Sequence, residues 1–181
     1  MLTPYAATLQ TSQIDGPTAT FTNGTFVSVL PLSCKYTFPA QFFQFIGQMI
    51  RVRAAGRMTT VTSPGTLTWQ LNLGSAGATS VAASQAFTLV ASQTNITWIV
   101  DLTLTLRALD TASAAGANFM FTGTYWAGAL NATVFNAIPA TAPAVGGNFD
   151  NTIANLMDFG VVGSVTTPTA VCHQFQVDAL L

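Results

Sequence analysis

The sequence predicts an all-β sandwich or barrel, and three observations carry that prediction. Apolar and polar residues alternate with period two in several runs, most clearly TLTWQLNLG (66–74) and IVDLTLTLRAL (99–109). Successive strand side chains point to opposite faces, so such runs bury one face and present the other. Gly, Pro and Asn punctuate the chain between these runs at the spacing of a multi-stranded sandwich. Helical periodicity is scarce. At 181 residues, the chain suits one domain with a sizeable core.

From the N-terminus, residues 1–24 are rich in Thr, Ser, Ala, Gln, Pro and Gly without sustained periodicity and end in the turn-like TNGT (22–25). They read as an arm ahead of a single domain, residues 25–181. Nine β runs follow: TFVSVL (25–30), CKYTF (34–38), QMIRVRAAGRMTTV (48–61), TLTWQLNLG, QAFTLVA (85–91), ITWIVDLTLTLRAL (96–109), ANFMFTGTYWAG (117–128), NLMDFGVVGSV (155–165) and VCHQFQVDAL (171–180). In the sixth, Val100, Leu102, Leu104, Leu106 and Ala108 share a core face. Asp101, Thr103, Thr105 and Arg107 share the other, and threonine suits a pleated surface because its branched side chain fits there. One or two helical turns are expected in FPAQFFQFIGQ (38–48), with Pro39 at a first helical position and Gly47 as a stop. VFNAIPATAPAVGGNFDN (134–151) reads as a loop without regular structure.

Charged residues make up 6% of the chain, where soluble domains carry about 25%. Glutamate is absent, so the acids are six aspartates, and the formal net charge is −1. A surface with so little repulsion favours association, which predicts that the isolated protein is not a monomer. Lipid cover is not expected. No apolar run reaches the roughly 18 residues of a membrane helix, ITWIVDLTLTLRAL being broken by Asp101 and Arg107. A membrane barrel would show flanking aromatic girdles, which are missing. The N-terminus has no basic start followed by an apolar block, so no secretory signal is expected. Cys34 and Cys172 lack metal-ligand spacing; two buried thiols are the expectation in a reducing compartment, a disulfide the alternative if their strands are neighbours.

Groups for catalysis are sparse. His173 is the only histidine and follows Cys172 in a strand, where adjacent side chains point apart and cannot exchange a proton. No two aspartates lie closer than eight positions, nothing matches a phosphate loop or dinucleotide fingerprint, and the oxygen ligands around Asp150 and Asp158 lack Ca²⁺-loop spacing. No enzyme, cofactor or metal is therefore expected. Three of the five basic residues, Arg51, Arg53 and Arg57, fall within seven positions. A nucleic-acid surface would need more positive charge than this chain carries. Arg51 and Arg53 share the face opposite Ile50 and Val52, and two guanidinium groups that close call for a carboxylate. An ion-pair ladder with Asp101, and with Arg107 on the same polar face, across strands or subunits is the expected arrangement. A solvated face and an anion site are the alternatives.

The segment LPLSCKYTFPAQFFQFIGQMIRVRAAGRMTTVTSPGTLTWQLNLG, followed by WIVDLTLTLRAL and PAVGGNFDNTIANLMDFGVVGS, resembles capsid-accessory virion proteins encoded in tailed-phage genomes. The resemblance spans about residues 28–181 and rests chiefly on IRVRAAGR, TVTSPGTLT and FDNTIANLMD. It implies a jelly-roll β-sandwich of about eight antiparallel strands in a virus particle, a homotrimer decorating the head, and it supplies no catalytic residue. The expected function is a structural virion protein that partners itself and capsid or other virion proteins, with residues 1–24 as the capsid-facing attachment. The alternative is a receptor- or glycan-binding head-fibre or tail module of the same fold, in which Tyr125 and Trp126 would stack on a sugar.

Overall fold

The computed structural model describes residues 6–13, 15–109, 116–130, 136–140 and 144–180. In chain order the strands are β1 (Ala6–Gln13), β2 (Ala19–Thr20), β3 (Phe26–Ser28), β4 (Thr37–Phe38), β5 (Met49–Thr59), β6 (Thr66–Leu73), β7 (Thr79–Ala83), β8 (Phe87–Thr88), β9 (Ile96–Ala108), β10 (Asn118–Ala127), β11 (Asn136–Ile138), β12 (Ala144–Val145), β13 (Asn155–Leu156), β14 (Asp158–Gly163) and β15 (Thr169–Leu180). The larger sheet runs β1-β15-β5-β9-β10-β11, with β2 beside β15 and β12 beside β10. The smaller runs β3-β14-β6-β7, with β8 beside β6.

Eight of these strands, β1, β3, β5, β6, β7, β9, β14 and β15, give the topology its form. Counted in chain order, they place the first, eighth, third and sixth side by side in one sheet and the second, seventh, fourth and fifth in the other. That interleaving of two Greek keys is a jelly roll, and the fold is the all-β sandwich the alternation predicts. Strands β10, β11 and β12 extend the larger sheet beyond it.

Alternation places the core between the sheets. Leu67, Trp69, Leu71 and Leu73 on β6 face Val100, Leu102, Leu104 and Leu106 on β9, and all eight are buried. Trp69 and Trp98 join the layers with ring centroids 4.4 Å apart, and Phe159 lies flat on Trp69 at 5.2 Å. The Trp98 ring needs a bare backbone opposite it. A Cβ on Gly56 would sit 2.7 Å from that ring and 1.9 Å from the Val171 carbonyl oxygen, so β5 carries glycine there.

Four sequence expectations change. The expected arm, residues 1–24, is not outside the domain in its described residues: β1 pairs antiparallel with β15 from Ala6↔Leu180 to Gln13↔Gln174, and Ala19 and Phe21 are buried in the core. Their composition hides this because an edge strand rich in Thr, Ser and Gln shows little periodicity. Residues 38–48 form no helix. Gln41 takes a φ of 58° and Gly47 of 95°, while side-chain amides take the backbone groups a helix would use. Asn151 Nδ2 donates to the Phe43 carbonyl at 2.7 Å, and the Gln44 N–H donates to Gln48 Oε1 at 2.9 Å. Phe42 and Phe43 then both turn toward Phe38, and Phe43 packs on Phe119 and Phe149. The expected loop after β10 contributes β11 and β12 from its described residues. Strand β7 was hidden by its Ala- and Ser-rich composition, and QAFTLVA contains only the two-residue β8.

Candidate functional site

The polar face of the larger sheet gathers the charged residues. Antiparallel register sets Arg53 opposite Asp101 across β5 and β9, and Arg51 opposite Asp178 across β5 and β15. Arg51 Nε donates to Asp101 Oδ1 at 2.8 Å and its terminal nitrogen to Oδ2 at 2.5 Å; Arg53 Nε donates to Oδ2 at 3.1 Å. Asp178 accepts from Thr8 Oγ1 at 2.8 Å and from Gln176 Nε2 at 3.0 and 2.9 Å. The result is a ladder across four strands, β1, β15, β5 and β9. The expected ion pairs of Arg51 and Arg53 with Asp101 thus form within one chain.

Burial works against the Asp101 charge, but the hydrogen bonds from Arg51 and Arg53 outweigh it and hold its carboxyl below the usual carboxylate range. The bond to Asp101 raises Arg51 against its own desolvation. A carboxylate lowered on folding contributes stability above its unfolded value of about pH 4, and that contribution is lost as pH falls through the folded value. The side chains of Asp101, Arg51 and Arg53 keep 28%, 36% and 48% of their accessible surface, so solvent screens the pairs. Asp101→Asn is expected to lower stability by about 1 kcal/mol at neutral pH. Melts of both proteins from neutral to acid should show the gap closing as the pH falls below the usual carboxylate range; a gap independent of pH would mean that the Asp101 charge contributes nothing.

Arg107 does not join the ladder. It lies six residues beyond Asp101, past Thr105, where the pairing of β9 with β5 ends, and stands exposed at a bulge in the β9–β10 register with no ion pair among the described residues. Its sequence neighbour Asp110 lies outside them. Tyr125 is not available for stacking on a ligand either. It is fully buried, with its ring 4.7 Å from Phe87 and 5.7 Å from Trp69, and burial pushes its hydroxyl far above the ordinary tyrosine range. Phe119 and Phe121 set the inward phase of β10, and Tyr125 follows it. Trp126 points the other way, half-buried on the outer face opposite Ile99.

Beside the ladder the small side chain of Ala55 floors two adjoining shallow depressions. One, about 550 Å³, is bounded by Arg53, Asp101, Ile99, Gln174 and Gln176. The other, about 480 Å³, is bounded by Arg57, Thr97, His173 and Asp15. A bulge between Cys172 and Gln174 turns His173 to the surface, where its Nδ1 lies 2.6 Å from Asp15 Oδ1. No described hydroxyl or thiol is hydrogen-bonded to the other ring nitrogen, so the pair does not extend to a nucleophile. Cys172 faces the core, donates to the Gln174 carbonyl at 3.3 Å, and has its thiol pushed up to about 12 by burial. It and Cys34 are buried free thiols. No group of three or more His, Cys, Asp or Glu side chains gathers among the described residues.

The strongest buried charge pair lies elsewhere. Lys35 Nζ sits 2.6 Å from Asp158 Oδ2, and Ser28 Oγ donates to Oδ1 at 2.5 Å, tying the β3–β5 connection to β14. Large apolar side chains stand exposed on that same connection: Leu32 at 79% and Ile46 at 66%. No helix among the described residues is long and apolar enough to cross a membrane. Compared with protein-family models, curated proteins and solved structures, the chain matches none of them.

Proposed function

We propose that this chain is a structural virion protein of a tailed phage, a jelly-roll subunit that binds the outside of the capsid as a homo-oligomer. The observation that carries the reading is the surface. The outer face of the larger sheet carries few charges and pairs Arg51 and Arg53 with Asp101 within the chain, and apolar Ile99, Met120 and Val145 stand exposed on it. Such a surface is suited to cover by protein. The sequence resemblance supports a virion setting; fold alone would not carry a function.

With Ala6–Gln13 drawn into the sheet, capsid attachment falls to the β3–β5 connection. Its Ile46 is held out by a framework that the Gln48 and Asn151 amides fix in place, and Leu32 stands on the 3-10 turn Leu32–Cys34. Preorganised apolar side chains bind with little ordering cost. Purified protein added to particles lacking it should co-sediment with them. The Leu32→Ser/Ile46→Ser variant, still folded by circular dichroism, should not. Wild-type protein that stays at the top of the gradient would overturn the reading. A glycan-binding head-fibre module is the second reading, favoured by Trp126 and Ile99 beside the polar depression. It predicts retention on a glycan array that Trp126→Ala abolishes.

A further inference from the structure

We infer that the free edge of β1 is a subunit contact in which the edge strands of two copies of this chain pair antiparallel, continuing the larger sheet from one copy into the next. The inference rests on the homo-oligomer reading above and names its contact. Strand β1 is eight residues long, the longest at any sheet edge; β7 has five and β3 and β11 three each. One side of it is bonded to β15, and among the described residues no backbone group of Ala6–Gln13 bonds anything else.

An exposed edge of that length templates pairing with another strand, and proteins ordinarily blunt it with charge, proline or extreme shortness. AATLQTSQ has no charge and no proline; its single irregularity is the bulge between Thr8 and Gln10. By contrast the β7 edge is partly covered, since the Gly147 N–H donates to the Ser80 carbonyl at 3.0 Å.

The occupant follows from the same residues. A two-fold contact places a surface against itself, so it must be self-complementary. A strand of Ala, Thr, Leu, Gln and Ser sets no like charges opposite one another. Beside the edge a groove of about 450 Å³ is lined by Ala7, Leu9, Pro39, Phe42, Phe45 and Ala179, with no charged side chain in its walls. An added strand gains main-chain hydrogen bonds from β1 and lays alternate side chains into that groove, the mode of strand augmentation.

Light scattering at micromolar concentration reads the contact. Wild-type protein should have a mass that is an even multiple of 18.9 kDa. Ala7→Lys/Thr11→Lys sets lysines on the edge without touching the core and should halve that mass. Ser63→Lys/Ala76→Lys, an equal charge on exposed turns at the two ends of β6, should leave it unchanged. Hydrogen exchange over residues 6–13 should be slow in the wild type and fast in the edge variant, while near-ultraviolet circular dichroism stays the same. An oligomer of odd number, or one whose mass the edge lysines do not change, would overturn the β1 contact and leave the homo-oligomer standing. A wild-type mass of 18.9 kDa would overturn both.

Discussion

Removing residues 1–24 is expected to abolish cooperative folding. The segment reads as a dispensable arm, yet it supplies two things the sandwich lacks without it. Phe21 keeps 1% of its surface and packs against Gly163, where a Cβ would lie 2.8 Å from its own, and its N–H donates to the Pro168 carbonyl at 2.8 Å. Truncating a buried phenylalanine alone costs about 3–5 kcal/mol, against a typical net stability of about 5–15 kcal/mol. Strand β1 adds a ladder of seven register pairs to β15 and partly buries Leu9 against the core. Losing both leaves one edge of β15 unpaired along most of its length and removes Phe21 from the core. The truncated chain should give no sharp thermal transition and should lose its near-ultraviolet dichroism; a cooperative melt within a few degrees of the full chain would show that the segment carries no core.

Why the arm misleads and the arginines do not is a matter of which side of a strand is constrained. On β5 and β9 one face is wholly buried, so the alternation of Ile50, Val52 and Ala54, and of Val100 and Leu102, fixes the phase. Arg51, Arg53 and Asp101 must then share the outer surface, and Asp101 is the one carboxylate on that face of its strand. An edge strand has a single partner and a thin inner cover, so β1 shows one inward leucine among Thr, Ser and Gln. The end of β5 is equally silent: Arg107 keeps the outer phase of Asp101 but lies past Thr105, where β5 stops, and the sequence does not mark that point. The burial of Tyr125 was readable from Phe119 and Phe121, three and two steps of the same alternation before it. Nothing in the sequence couples Lys35 to Asp158, since 123 positions separate them.

That pair carries the second large effect. Asp158→Ala is expected to destabilise the protein by about 3–5 kcal/mol, because it strands a lysine whose partner is gone. The Lys35 and Asp158 side chains keep only 15% and 7% of their surface, so water replaces little of the lost interaction. Ser28 loses its acceptor in the same step, and the β3–β5 connection loses its tie to β14. In a domain of this size the melting temperature should fall by roughly 6–20 °C. Replacing both partners at once, Lys35→Met with Asp158→Leu, removes the stranded charge and should recover most of the loss. A drop as large in the double variant as in the single one would mean that the shape of the site, and not its charge, carries the stability.

The claim that the chain is a structural part of a virus particle is tested most directly by counting it there. Under the proposal a phage encodes the chain, and its particles, purified through successive density gradients, would be digested and quantified by mass spectrometry against the major capsid protein. The account predicts a fixed stoichiometric ratio to that protein, unchanged from one gradient to the next. A chain that is abundant in the lysate but missing from the purified particles would contradict it.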